Sequence, residues 1–345
     1  MTSDLRLRWQ RTKLSTARVD ANGILNLEPT YCFNTLCPDI YVRDVYGTLY
    51  DSIRNVTAPA PDGSRRARKV LVTGSEGCGK SVVLFYFLWR LRTEGKTVVV
   101  EEGYRQFFRF AADGSVVRGS RDDFFSAGYF CEKDAWCLSD PEAEKEPYAQ
   151  FHGVTVAFRP LEEEYFRRFT RPSWGPCELR YLPVWSEQEI EHCCKHLPAW
   201  QQRHSWEGAQ ALFAEWGGLV LFIERNNDLH KPWLQSACVY AAHYGICQAA
   251  LAAMPEPREP NTHKVDYDMV FNIFSNDNET YHLDWASDYA KQRVLSRTTQ
   301  KPEEIVAEFS DAARFWPQLG KLAGDLTEGF AKGELQKVTG VDSFI

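Results

Sequence analysis

The nine residues TGSEGCGKS, Thr73 to Ser81, constrain this chain more than any other stretch. Gly74, Gly79, Lys80 and Ser81 fill the pattern G-x-x-x-x-G-K-[ST]. That pattern carries weight only where a buried strand runs in and a helix runs out. ARKVLVTG supplies a short, β-branched apolar run at Val70 to Thr73, and KSVVLFYFLWRLRTEG supplies a long apolar helix closing at Gly95. A strand, a glycine turn and a helix in this order let successive peptide N–H groups point inward at an anion, at the positive end of a helix dipole.

The expected ligand is ATP, contacted by Gly74, Ser75, Glu76, Gly77, Cys78, Gly79, Lys80, Ser81 and Val82. Lys80 would reach the β- and γ-phosphates, and the Ser81 hydroxyl would ligate Mg2+. A second oxygen ligand for the metal is expected at the end of a neighbouring buried strand. KDAWCLSDPEAE offers Ala135 to Ser139 followed by Asp140, so Asp140 is the expected metal-side acid. Glu142 would be the acceptor that polarises an attacking water, which makes Lys80, Asp140 and Glu142 the candidate catalytic set. The plain alternative is that Asp140 caps a turn before Pro141 and that Glu142 has no role.

A length of 345 residues fits about two domains. The 44% hydrophobic content and eleven Trp mark a folded chain rather than a disordered one. The net charge of −7 excludes a body that wraps nucleic acid by neutralising phosphates, so any such contact must be local. The Arg65, Arg66, Arg68, Lys69 cluster is the one local candidate, with a solvated strand entry as the alternative. Ten cysteines follow no repeated spacing, which fits free thiols in a reducing compartment. No apolar signal region and no run of about 18 apolar residues occur, so the expected location is intracellular, nuclear or cytoplasmic, away from membranes.

Three stretches follow from the patterning: a header and linker over 1–60, a core over 61–200, and a mostly helical lid with a hairpin over 201–345. In the core, GKTVVVEEG reads as a second buried strand and YRQFFRFAADGSVVRG as a hairpin turning at Asp113-Gly114. GVTVAF and ELRYLPV read as further strands, and LEEEYFRRF as a helix between them. Alternating strands and helices imply a parallel sheet with the phosphate site at its carboxyl edge. From Ser186 onward the pattern turns helical: SEQEIEHCCKHL opens with a capping box, Ser186 with Glu189, and in the lid DYDMVFNIFSNDNETYHLDWAS reads as a hairpin about an Asn-Asp turn. HCCKH places His192 and His196 on one helix face, but no glutamate stands beside His192, so buried cysteines are expected there rather than a metal.

Several landmarks together resemble the P-loop NTPase module of Crinkler effectors and the related retrotransposon hot spot proteins. IYVRDVYGTLYDSI (40–53) is similar to the segment before the family's loop, VTGSEGCGKSVVLFYFLWRL to its loop and helix, and DAWCLSD to its metal-acid strand. RYLPVWSEQEI (180–190) resembles the family's strand-to-helix MPvW signature, and FAEWGGL (213–219) its GG helix start. The likeness spans about residues 40 to 340 and implies an α/β fold, a P-loop NTPase of the AAA/STAND-like kind. The family usually follows its GG with Pro-Arg; here Gly217-Gly218 precede Leu219 and Val220, and Arg225 stands two turns on. Where the family ends its next strand with a γ-phosphate-sensing polar residue, this chain has Arg159.

The family's NTPase is typically followed by an effector domain, and KLAGDLTEGFAKGEL (321–335) looks like the lead-in to one, with no nuclease core after it. The family's host-translocation header is not visible in MTSDLRLRWQ. The expected function is therefore ATP binding with ATP hydrolysis, driving or gating an effector or nucleic-acid-associated activity. ATP is preferred over GTP because no N-K-x-D motif follows a late strand. The competing expectation is a nucleotide-gated interaction switch with little turnover, its partner a protein or a second copy of the chain.

Overall fold

The structure, a computed structural model, describes residues 14, 17–27, 39–102, 106–140, 150–159, 169–170, 175–225, 230–254 and 267–335. Glu142 and most of LEEEYFRRF lie outside the described residues. The chain forms two compact units: residues 1–73, 80–180 and 195–202 make the first, and 74–79, 181–194 and 203–345 the second. The fold is mixed α/β, with a central seven-stranded, mostly parallel sheet flanked by helices.

A two-stranded ribbon, β1 (Ile24–Asn26) with β2 (Asp39–Tyr41), precedes helix α1 (Asp44–Thr57). Strand β3 (Lys69–Thr73) is buried throughout and runs through the glycine turn into helix α2 (Lys80–Thr93). Helix α2 is stopped by Gly95, whose φ of 70° is the left-handed conformation that favours glycine, with its N–H on the Arg92 carbonyl. Next come β4 (Val98–Glu102), β5 (Gln106–Phe110), β6 (Val116–Ser120), α3 (Arg121–Ser126), β7 (Trp136–Ser139), β8 (Val154–Phe158) and β9 (Cys177–Tyr181). Across the sheet the order is β6-β5-β4-β7-β8-β3-β9. Strands β4, β7, β8 and β3 are mutually parallel, while β5 and β6 return as the expected hairpin on one edge. That hairpin turns at Asp113, whose carboxylate accepts from the Ser115 N–H at 2.8 Å. The β-strand expected over 178–184 ends at Tyr181, because Leu182 turns aside to meet the glycine loop.

Both faces of this sheet are covered, as continuous apolar strands require. On one face Phe87 of α2 meets Phe158 edge-on, Tyr50 of α1 packs on Phe87, and the Arg54 guanidinium lies over Trp136. On the other, Val99, Phe107 and Cys137 join Phe124 of α3 and Phe130 in one buried cluster. Helix α2 is nearly all apolar because it is buried on most sides, a pattern that defeats amphipathic periodicity.

The second unit is chiefly helical. Helix α4 (Glu187–His196) belongs to it as far as Cys194, while Lys195, His196 and all of α5 (Pro198–Gln201) group with the first unit; α6 (Trp206–Trp216), α7 (Val220–Arg225), α8 (Lys231–Tyr244), α9 (Ile246–Ala252), α10 (Asp288–Leu295), α11 (Pro302–Phe315) and α12 (Gly320–Ala331) complete it. Strands β10 (Phe271–Phe274) and β11 (His282–Trp285) make the expected antiparallel hairpin. The capping box at the start of α4 forms: Ser186 N–H donates to Glu189 at 2.8 Å, and Glu189 N–H to Ser186 Oγ at 3.3 Å. LQSACVYAAHYGICQAALAAM is broken into α8 and α9 at Gly245, where φ is 102°. Most of the stretch 321–335 lies in helix α12, seated on the unit through Leu322 and Leu326 and tied to β11 by the Lys321–Asp284 ion pair.

Candidate phosphate-loop site

In the first unit, parallel pairing brings the carboxyl ends of β3, β7 and β8 to one edge of the sheet. Val72 is level with Phe158, and Ser139 with Ala157, so Thr73, Asp140 and Arg159 all leave along that edge. In open α/β sheets this is the edge where ligands bind. Asp140 accepts a hydrogen bond from Ser81, the second residue of α2. Burial raises the Asp140 pKa above the ordinary aspartate value, while the Ser81 bond and the charges of Arg159 and Lys80 pull the other way. Lys80 and Arg159 are each only 8% exposed. The structure thus brings Lys80, Ser81 and Arg159 close to Asp140. Behind them Ser139 Oγ donates to the buried Glu101 carboxylate at 2.5 Å, a pair that sequence reading missed because it depends on cross-strand register. The Thr73 hydroxyl, fully buried at the end of β3, has no hydrogen-bond partner.

In the second unit, the loop Gly74–Gly79 is shaped by segments more than a hundred residues downstream. Ser75 to Cys78 form a tight turn closed by the Cys78 N–H on the Ser75 carbonyl at 3.3 Å. Gly77 sits third in that turn with φ 78°, while Glu76 keeps an ordinary negative φ, the combination of a type II turn that selects glycine at this place. Gly74 is glycine for a different reason: a Cβ there would lie 2.4 Å from the Leu182 carbonyl oxygen. Four contacts then hold the loop. The Trp185 indole N–H donates to the Cys78 carbonyl at 2.9 Å, and the Leu221 N–H, in the first turn of α7, to the Gly77 carbonyl at 3.1 Å. The Ser75 hydroxyl accepts from the Ile273 N–H of β10 at 2.9 Å, and the Glu76 N–H donates to Asp268 at 3.2 Å.

The two motifs without chemistry of their own explain themselves here. Gly218 lies directly beneath Trp185, with a bond from the Trp185 N–H to the Gly218 carbonyl at 3.0 Å, and any Cβ on Gly218 would strike the Trp185 backbone. LPVW and WGG are therefore one interlocked support for the loop. Arg225, at the end of α7, is exposed. Of the remaining candidates, Cys193 and Cys194 are buried, as expected. Among the described residues no group of three or more His, Cys, Asp or Glu side chains is placed to hold a metal. The basic cluster is engaged internally: Arg65 with the Thr57 carbonyl, Arg66 with Glu178, Arg68 with the His152 carbonyl and Lys69 with the Phe169 carbonyl. Among the described residues no helix is long and apolar enough to cross a membrane.

The sheet and its edge define an α/β protein in which helix α2 follows a glycine-rich turn directly. No family model matches the chain. Its similarity to known proteins is to Crinkler effector protein 15 and Crinkler effector protein 16, both of Phytophthora infestans, each 28% identical over 141 residues. That stretch is 39% of this chain and 22% of each relative, so the match spans about a fifth of the length of these curated proteins. The chain is Crinkler-like over this part.

Proposed function

We propose that this chain is a P-loop NTPase module of the Crinkler and retrotransposon hot spot kind, which binds Mg2+ with ATP and hydrolyses the γ-phosphate. The observation that carries the reading is the Ser81 hydroxyl bonded to the Asp140 carboxylate, beside Lys80, at the start of α2. A hydroxyl and a carboxylate are the hard oxygen donors that suit Mg2+, which takes one or two protein ligands and completes its shell with phosphate oxygens and water. Ser81 and Asp140 would hold it, and bound there it would neutralise charge on the phosphates. Lys80 would supply a further positive charge, and the amides of the first turn of α2 would supply oriented donors, the groups that catalysis of phosphoryl transfer chiefly requires. Arg159, buried and with its charge felt by Asp140, would sense the γ-phosphate.

Titration calorimetry with Mg·ATP tests binding, and phosphate release tests turnover. Wild type should bind and release phosphate steadily, and Lys80→Ala should abolish release; absence of heat with both Mg·ATP and Mg·GTP would overturn the reading. A second reading is supported by the exposure of Arg225 and by Leu219 and Val220 in place of an arginine after Gly218: a nucleotide-gated switch that binds ATP tightly and turns it over little. Tight binding without phosphate release would select it.

A further inference from the structure

Trp185 lies outside the loop and carries no charge, yet its indole is bonded to the loop's interior. The bond is buried at both ends, with Trp185 at 6% and Cys78 at 0% exposure. A trans peptide is planar, so the carbonyl of one residue and the N–H of the next point in opposite directions. Holding the Cys78 carbonyl on the indole therefore turns the Gly79 N–H to the other side. The Leu221 N–H does the same one peptide earlier by holding the Gly77 carbonyl, and the displaced Cys78 N–H closes the turn on Ser75. Glycine at 79, with φ 98°, lets the chain pass from that fixed peptide into α2.

Resting on the nucleotide reading above, we propose that Trp185 is a positioning residue for phosphate binding: its indole N–H fixes the Cys78–Gly79 peptide so that the Gly79 amide faces the bound phosphate. The glycines permit the loop conformation, and Trp185 selects it. Free of this bond, the Cys78–Gly79 peptide could rotate and offer its carbonyl oxygen to the anion, replacing attraction by repulsion. The Gly218 contact then has a purpose, because it seats the Trp185 backbone at the height from which the indole reaches Cys78.

The test replaces Trp185 with 3-benzothienylalanine by site-specific incorporation, which keeps the ring's shape and deletes only the N–H donor; Trp185→Phe serves as a second variant. Binding of Mg·ATP and of Mg·ADP is measured by calorimetry well below the melting temperature of each ligand-free protein, so that unfolded protein does not contribute. The expected result is a loss of affinity on the order of 10-fold for both nucleotides, about 1.4 kcal/mol, together with a shifted 1H–15N resonance of the Gly79 amide. A sulfur isostere that binds both nucleotides as tightly as wild type overturns the proposal while leaving the nucleotide reading intact. Wild type that binds neither nucleotide removes the reading and the proposal together.

Discussion

Replacing Gly218 by alanine isolates the support beneath the loop. The added Cβ would lie 2.1 Å from the Trp185 carbonyl oxygen, 2.6 Å from the Trp185 nitrogen and 2.8 Å from Val184 Cβ. Two of these are backbone atoms, so no rotamer change relieves the clash; the chain must move by about 1 Å to restore van der Waals contact. Forcing an extra methyl group into a packed interior costs about 1–3 kcal/mol, and the Trp185 N–H to Gly218 bond, 3.0 Å long, contributes about 1 kcal/mol that the movement would forfeit. Together the substitution should destabilise by about 2–4 kcal/mol, lowering the urea midpoint by about 1 M or more. Gly324→Ala is the internal control, because a Cβ there meets nothing within 4 Å and the residue lies inside α12. It should be neutral or stabilise by about 0.4–1 kcal/mol. Urea titrations followed by tryptophan fluorescence compare the two. Equal midpoints for Gly218→Ala and Gly324→Ala would refute the claim that Trp185 rests on Gly218.

Other outcomes follow from burial and charge. Phe87→Ala, which empties a fully buried site between Tyr50 and Phe158, should cost about 3–5 kcal/mol in the same titration. Among the eight described cysteines, Cys131 is exposed, whereas burial pushes Cys177 up to about 12 and Cys238 and Cys247 up to about 11. Iodoacetamide at mildly alkaline pH should therefore modify Cys131 ahead of the other seven described cysteines, as peptide mass mapping would show, and equal rates at Cys238 would contradict the structure. Burial holds the His204 pKa below its ordinary 6.5, outweighing its bond to the Glu224 carbonyl. The fold thus favours the neutral ring: its contribution is complete above 6.5 and is lost as pH falls through the depressed folded-state value. His204→Gln should flatten the fall in urea midpoint with acidification below pH 6.5, and an unchanged slope would show that another group governs it.

The strand, loop and helix around Gly74 to Thr93 were readable because each leaves a local mark: a β-branched run, glycines at fixed spacing, and an apolar stretch too long for a strand. The hairpins at Asp113-Gly114 and about Asn276-Asp277 were readable for the same reason, since turn chemistry is local. Asp140 could be chosen because it follows directly on a short buried strand, whereas the Ser139–Glu101 pair could not, since only the register of β4 against β7 brings the two together. LPVW and WGG were visible as motifs but silent about purpose. A tryptophan next to polar residues and two glycines inside an apolar run show that something approaches closely, without showing what. The contacts of Ser75 with Ile273 and of Glu76 with Asp268 join positions almost two hundred residues apart and leave no sequence signal at either end.

The loop that opens α2 groups with residues encoded after it, and this has a bearing on synthesis. A ribosome delivers Gly74 to Gly79 long before Trp185, Gly218, Leu221 and Ile273, the residues that give those six their shape. During translation the nascent sheet can assemble from the amino-terminal strands while the glycine turn stays unsupported. The final shape of the turn would then arrive late and abruptly, only once the hairpin carrying Ile273 has left the exit tunnel.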